Sequence, residues 1–186
     1  MDPRRRLVSV QVGKPRSIPQ GDRAVRTAIY KEPVLFRVRV RRLNLDGDSQ
    51  ADLRVHGGPD KAVYAYDLSG YEHFRRLLST GLPFGQFGEN LTVEGMPESL
   101  VRIGDIYRIG SALLQVSQPR SPCYKLSLRM GRPDFGKDFV ASGHPGFYLR
   151  VLEEGELGAG DSIELVESGP DRATVERVAD RLFHRG

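Results

Sequence analysis

A single cysteine is the side chain in this sequence best suited to nucleophilic or metal chemistry. Cys123 is the only thiol among 186 residues, and two prolines precede it closely. Proline fixes the backbone angle φ, so this loop should hold the thiol in one place. The cations of Arg120 and Lys125 would favour the thiolate, which is a nucleophile and a soft metal ligand. We therefore predict a reactive Cys123, against the alternative of a buried, inert cysteine.

A second candidate segment contains two adjacent glycines, Gly57 and Gly58, between His56 and Lys61. Glycine adopts positive φ readily, so its backbone N–H groups can turn inward and form an anion-binding nest. His56 and Lys61 would flank such a nest. A plain surface turn with an exposed lysine is the alternative, and the segment alone favours it.

A third candidate is Asn90, which lies in the run Phe87–Leu91. Its amide can both donate and accept hydrogen bonds, as the edge of a pterin requires. The preceding Gly88 permits close approach of a ligand to the backbone. The alternative is a loop in which Asn90 only satisfies nearby backbone groups.

Charge is distributed unevenly along the chain. Residues 1–42 contain 12 Lys and Arg against 3 Asp and Glu, although the whole chain has a net charge of only +4. A basic segment suits an anionic partner such as a phosphate or a nucleic acid. A solvated arginine-rich face is the simpler interpretation. Aromatic residues do not alternate with these arginines, so nucleic-acid binding ranks last.

The patterning around these candidates predicts a mainly β domain with a few short helices. Alternating or apolar runs predict strands at residues 7–12, 34–40, 62–66, 100–109, 112–116, 147–152 and 162–166. Helices are predicted after Ser69, at 134–141, and after Thr174. Many short strands without a βαβ order favour a closed or nearly closed β-barrel.

The sequence also limits the compartment and the class of site. No segment is long and apolar enough to span a membrane, and we expect no secretory signal, because the residues after the basic start alternate as in a strand. One cysteine forms no internal disulfide, so we expect a reducing, cytoplasmic setting. His73, His144 and His184 lack metal-ligand spacing, so we expect no zinc site.

Taken together, these motifs resemble the MOSC family, named for the molybdenum cofactor sulfurase C-terminal domain. The similarity is greatest to the YiiM-type branch associated with hydroxylaminopurine resistance, and it spans roughly residues 7–168. The residues that carry it are Gly47-Asp48 with 50–52, His56–Lys61, Phe87–Leu91, Ile103–Asp105 within 101–106, and Gln115–Leu126 with Cys123.

The resemblance implies a MOSC-type β-barrel that binds the pyranopterin molybdenum cofactor, not pyridoxal phosphate. It implies a reductase of N-hydroxylated bases, whose small-molecule substrate is reduced with electrons from a donor protein. The implied site comprises Cys123 as sulfur ligand to molybdenum, Asn90 at the pterin edge, and Lys31, His56, Lys61 and Arg120 at phosphate or pterin.

Two further expectations accompany this assignment. Residues 1–168 would form the MOSC domain and 169–186 a helical tail, shorter than the helical domain usual in this branch. The pocket would have few carboxylates, so that Lys31, Lys61 and Arg120 bind anions. The alternative function is a carrier of sulfur or of finished cofactor, with a persulfide on Cys123, because few other acid–base groups lie near it in sequence.

Overall fold

Strands form most of the structure. The computed structural model describes residues 4–51 and 57–183. The strands in these ranges are β1 Arg6–Val12, β2 Arg16–Gln20, β3 Arg23–Thr27, β4 Glu32–Val34, β5 Val38–Val40, β6 Val63–Asp67, β7 Leu91–Glu94, β8 Ile106–Ile109, β9 Ala112–Pro119, β10 Phe147–Glu153, β11 Gly155–Leu157 and β12 Ile163–Glu167. The helices are α1 Leu68–Leu78, α2 Tyr124–Met130, α3 Phe135–Ala141 and α4 Val175–Phe183, and a 3-10 turn covers Pro59–Lys61.

Eight of these strands form one sheet in the order β12-β8-β9-β10-β6-β7-β1-β4. Its pairs are antiparallel except β6 with β7, which are parallel and are joined through α1. Two smaller pairs, β5 with β11 and β2 with β3, complete the β structure.

The large sheet curves toward closure without completing a barrel. The start of β1 reaches the segment that enters β12, where Leu7 N–H donates to Asp161 O at 2.9 Å and Arg6 bridges Ser162. No continuous ladder joins β12 to β4 in the described sheet. The predicted mainly β class is confirmed, and the sheet forms a loose barrel that is not closed by a continuous ladder.

Two hydrophobic clusters stabilise this arrangement. The larger lies within the curved sheet and includes Leu7, Tyr107 and Phe147. The second is aromatic and packs α1, α2 and α3 against the strand that carries Tyr64 and Tyr66. Because α2 starts directly after Cys123, the aromatic cluster fixes the position of the segment that carries the thiol.

The predicted strand at 34–40 is wrong in its middle. Strand β4 ends at Val34 and β5 begins at Val38. Val38 and Val40 are buried, but Phe36 is 66% exposed and does not share their face. The alternating pattern resembled one strand because the residue types at 34–40 do not indicate the bend between two strands that join different sheets.

Several local elements differ from the sequence-based expectation. The β2–β3 hairpin and α2 were not predicted at all. Helix α1 begins one residue before Ser69, and its N-cap is Asp67, whose Oδ1 accepts the Ser69 N–H at 2.9 Å. The predicted final helix is present as α4, where Thr174 Oγ1 accepts the Arg177 N–H at 3.3 Å.

Helix α4 packs onto the main body of the protein, since Val175 belongs to the larger hydrophobic cluster.

Across residues 4–51 and 57–183, no helix combines the length and apolar character needed to cross a membrane.

Candidate functional site

An open pocket lies where the hairpin base, the 3-10 turn and the end of β9 meet. It contains about 580 Å³ of empty space, counting the part open to solvent. The lining residues are Thr27, Ala28, Ile29, Lys31, Asp48, Gln50, Ala51, Lys61, Tyr64, Gly88, Asn90, Arg120, Cys123, Lys125 and Tyr148. Five predicted site residues are therefore brought together from four distant parts of the chain. His56, the sixth, lies outside the described residues.

Cys123 is part of this pocket and is partly exposed. It is the N-cap residue of α2 in extended conformation, and its carbonyl accepts the Leu126 N–H at 2.9 Å. Leu126 is fully buried in the aromatic cluster, which anchors the helix behind the cysteine. The thiol is therefore accessible yet held on an ordered segment, as a ligand or a nucleophile must be.

Arg120 provides a buried positive charge beside the thiol. Its guanidinium lies over the ring of Tyr64, with Cζ 4.9 Å from the centroid, and Nη1 is 3.5 Å from the Tyr64 hydroxyl. Tyr148, on the neighbouring strand, also lies close enough to interact with it electrostatically. Burial would lower the pKa of Arg120, but Tyr64, Tyr148 and Cys123 together hold it above its usual value. No carboxylate of the described residues pairs with this guanidinium, so the site presents a charge suited to an anion.

The tyrosine hydroxyls beside Arg120 remain protonated. Burial raises the pKa of both Tyr64 and Tyr148, and the effect of Arg120 only partly opposes it. Tyr64 donates its proton to Pro145 O at 2.9 Å. These two residues are direct cross-strand neighbours on β6 and β10, which accounts for their position on the same side of the arginine.

Lys31 does not contribute a free cation to the pocket. Its Nζ lies 2.5 Å from Asp48 Oδ1, and both side chains are almost fully buried. Asp48 also accepts the Gly13 N–H at 2.9 Å. The expectation of few local carboxylates was wrong here, because chain folding places Asp48 directly against Lys31.

Asn90 is largely occupied by hydrogen bonds within the protein. Its Oδ1 accepts the Tyr64 N–H at 3.1 Å, and its Nδ2 donates to Gln11 O at 3.3 Å and Asp48 Oδ2 at 3.0 Å. Both amide protons are thereby used, and any ligand must use the remaining lone pair of Oδ1. In this structure Asn90 ties three chain segments together and orients Asp48.

The 3-10 turn places Lys61 at the pocket, with Nζ 5.9 Å from the centroid of Tyr148. Its neighbour Asp60 holds the turn against the sheet, since Oδ1 accepts from Arg150 Nε at 2.7 Å. Gly58 precedes the turn with φ of 94°, a value that favours glycine.

The donor set limits which metals this site can hold. No group of three His, Cys, Asp or Glu side chains among the described residues could enclose an ion. Within these residues the pocket combines a single soft sulfur donor with buried cations, so a metal bound here would bring most of its ligands with it.

Sequence reasoning did not single out Asp48, Tyr64 and Tyr148 as pocket residues. Asp48 appeared only within a run of similarity, and both tyrosines resemble ordinary buried strand residues. The sequence does show that Tyr64 and Tyr66 alternate along β6 and that Tyr148 lies on β10. It does not show which strands pair.

Comparison with known proteins gives a consistent assignment. A family model described as "MOSC domain" matches residues 52–164. The protein YflK of Bacillus subtilis is 42% identical over 176 residues, covering 95% of this chain and 79% of that protein. The crystal structure of YiiM from Geobacillus stearothermophilus has a TM-score of 0.80 and 36% identity, covering 97% of this chain and 84% of that chain.

A fungal protein offers a more distant comparison. A protein of Gibberella moniliformis named as a reductase is 34% identical over 165 residues. The match covers 87% of this chain but only 29% of the fungal protein, so the name describes a much longer molecule.

Proposed function

Because the chain belongs to the MOSC domain family, we propose that its pocket binds the pyranopterin molybdenum cofactor and reduces N-hydroxylated bases such as hydroxylaminopurine. One observation carries the proposal. The pocket brings the only thiol of the chain next to Arg120, a buried guanidinium that no carboxylate of the described residues neutralises. A site of this kind suits a ligand that joins a soft metal to a phosphate.

The residues present fit such a ligand in separate regions of the pocket. Cys123 would ligate the metal through its sulfur. Arg120 can bind a phosphate through two N–H groups, and Lys61 would act as a point charge. Asn90 would meet the pterin edge through Oδ1. Lys31 would contact the ligand while remaining paired with Asp48. His56 is proposed to contact the phosphate or the pterin, as expected from the sequence.

The overall reaction determines how many electrons and protons the site must accommodate. Reduction of R–NHOH to R–NH2 breaks the N–O bond, consumes two electrons and two protons, and releases water. The cofactor, when bound, would supply the redox chemistry. The protein would bind and orient the substrate, keep Arg120 charged and hold protons on the hydroxyls of Tyr64 and Tyr148.

A non-catalytic carrier is the alternative, with a persulfide on Cys123 or delivery of finished cofactor. That hypothesis depended on few acid–base groups near the thiol. Lys31, Asp48, Tyr64 and Tyr148 now line the same pocket, which favours the reductase.

The decisive experiment is metal and pterin analysis of protein made in a host that synthesises the cofactor. We expect about one molybdenum and one pterin for each chain, with turnover of hydroxylaminopurine when reduced methyl viologen is supplied. Bound cofactor without turnover would favour the carrier. Protein that takes up neither molybdenum nor pterin would exclude the reductase and the cofactor carrier, and would leave only the sulfur carrier with a persulfide on Cys123.

A further inference from the structure

The β2–β3 hairpin concentrates cations that have no acidic partner in the described structure. Arg16, Arg23 and Arg26 on the hairpin and Lys14 just before it are exposed, and no ion pair with a described Asp or Glu involves them. Asp22 in the hairpin turn is the one acidic residue of the segment 14–27. Elsewhere many exposed arginines are paired, such as Arg37 with Asp161 at 2.8 Å. A net positive charge on an exposed hairpin suits an acidic partner more than it suits stability.

This hairpin is continuous with the pocket. Strand β3 ends at Thr27, and Thr27, Ala28 and Ile29 all line the pocket wall. A macromolecule seated on the hairpin therefore lies beside the pocket opening and not on a remote face of the protein.

A stack of side chains links the hairpin to the helix that follows Cys123. The guanidinium of Arg16 lies 3.8 Å from the ring centroid of Tyr30, and that of Arg129 lies 4.3 Å from the same centroid. Arg129 belongs to α2, whose N-cap is Cys123. Cation–π contacts of this kind hold the hairpin in a defined position relative to the thiol.

The proposed function requires a source of electrons outside the chain. Each reduction consumes two electrons, and the single cysteine cannot form an internal dithiol–disulfide pair to supply them. A donor protein must bring its own redox group close to the pocket. Since the uncompensated charge beside the pocket is positive, electrostatic complementarity calls for an acidic donor.

We propose that the β2–β3 hairpin is the docking surface for an acidic, flavodoxin-type protein whose reduced flavin supplies the two electrons. The supply of electrons rests on the proposed function, whereas binding of an acidic protein to the hairpin does not depend on it. A nucleic acid is the less suitable occupant, because strands β2 and β3 contain no aromatic residue on which bases could stack.

The test compares two charge-reversal variants. One carries Arg23→Glu with Arg26→Glu on the hairpin. The other carries Arg172→Glu with Arg177→Glu, which makes the same charge change at exposed positions that line no part of the pocket. Binding of an acidic flavodoxin is measured by titration calorimetry at low and high salt. The rate with reduced flavodoxin is measured on cofactor-loaded protein, and reduced methyl viologen serves as a donor that needs no docking.

We expect the hairpin variant to bind flavodoxin roughly tenfold or more weakly at low salt, while the control variant loses far less. Its rate with flavodoxin should fall in parallel, and its rate with methyl viologen should match that of the parent. Equal flavodoxin binding by the two variants, or no binding by the parent, would overturn the docking surface. A hairpin variant that binds flavodoxin as the parent does, but binds a DNA duplex more weakly in the same titration, would also overturn it. Inactivity of the parent with methyl viologen would count against the proposed function, and the calorimetry would still decide the docking surface.

Discussion

Lys31 and Asp48 form a buried ion pair in the wall of the pocket, with Nζ 2.5 Å from Oδ1. Gly13 N–H and Asn90 Nδ2 complete the hydrogen bonding of the carboxylate. Two charges that are almost fully buried are tolerated only while both are present, because either alone would be left uncompensated in a poorly solvated site. The same ion pair therefore stabilises the fold and shapes the wall of the pocket.

Removing one partner of this pair should destabilise the protein strongly. We expect Asp48→Asn to lower the free energy of unfolding by about 3–5 kcal/mol, the range found when a buried pair loses one member. Urea unfolding measures the change. Asp46→Asn, which breaks the exposed pair with Arg41, is the matched control and should change little. The double variant Lys31→Gln with Asp48→Asn should recover part of the loss. Equal effects of Asp48→Asn and Asp46→Asn would show that the buried pair is not important to stability.

Phosphate should stabilise the protein through Arg120. An anion that binds only the folded state raises stability by about 2.7 kcal/mol at a hundred times its dissociation constant. We expect phosphate to raise the melting temperature of the parent more than that of Arg120→Ala at matched ionic strength. Arg108→Ala, at a partly exposed arginine that is paired with Glu153 and does not line the pocket, should respond like the parent. If all three proteins gain equally, phosphate acts through the solvent or elsewhere, and Arg120 is not the anion contact.

Substitution of the cysteine should separate folding from chemistry. Cys123→Ser changes one atom of a partly exposed residue, so we expect the melting temperature to change little. We expect pterin to remain detectable, because Arg120 and Lys61 would still bind it under the proposed function, while turnover of hydroxylaminopurine is lost. Pterin fluorescence, metal analysis and a steady-state assay measure the three properties. A serine variant that reduces the substrate as fast as the parent would remove Cys123 from the mechanism.

Stability should depend on pH through His144. A hydrogen bond with Glu98, at 3.2 Å from Nδ1, is the main cause that raises the pKa of His144, and burial opposes it. A histidine whose pKa is raised by folding contributes stability that is complete below its unfolded pKa of about 6.5 and is lost as the pH rises through the folded value. His144→Gln should therefore cost more stability at pH 5.5 than at pH 8.5, as measured by thermal unfolding.

His73 provides a comparison with the opposite sign. Burial chiefly lowers its pKa, and His144 lowers it further. His73→Gln should accordingly relieve destabilisation at pH 5.5 and should have less effect at pH 8.5. If both variants show the same pH dependence, the Glu98 contact is not what controls His144.

The sequence by itself determined the class of fold and the inventory of reactive groups. Short apolar runs separated by turns require many strands, and most predicted strands and the last helix are present. The single thiol, the cations near it and the family resemblance pointed to one cofactor-binding pocket. These features are local, because they depend on residue types and on spacings of a few residues.

Only the tertiary structure decided how the pocket residues are paired. Lys31 with Asp48, Asn90 with Gln11, and Arg120 with its tyrosines join residues from 17 to 79 positions apart. Such contacts are set by which strands pair and in what register, and a shift of one residue would turn Tyr64 or Tyr148 to the opposite face. A sequence pattern gives the face of each strand but not its neighbour. For this reason the sequence predicted which kinds of charge lie near Cys123, but not which of those charges are neutralised by a partner.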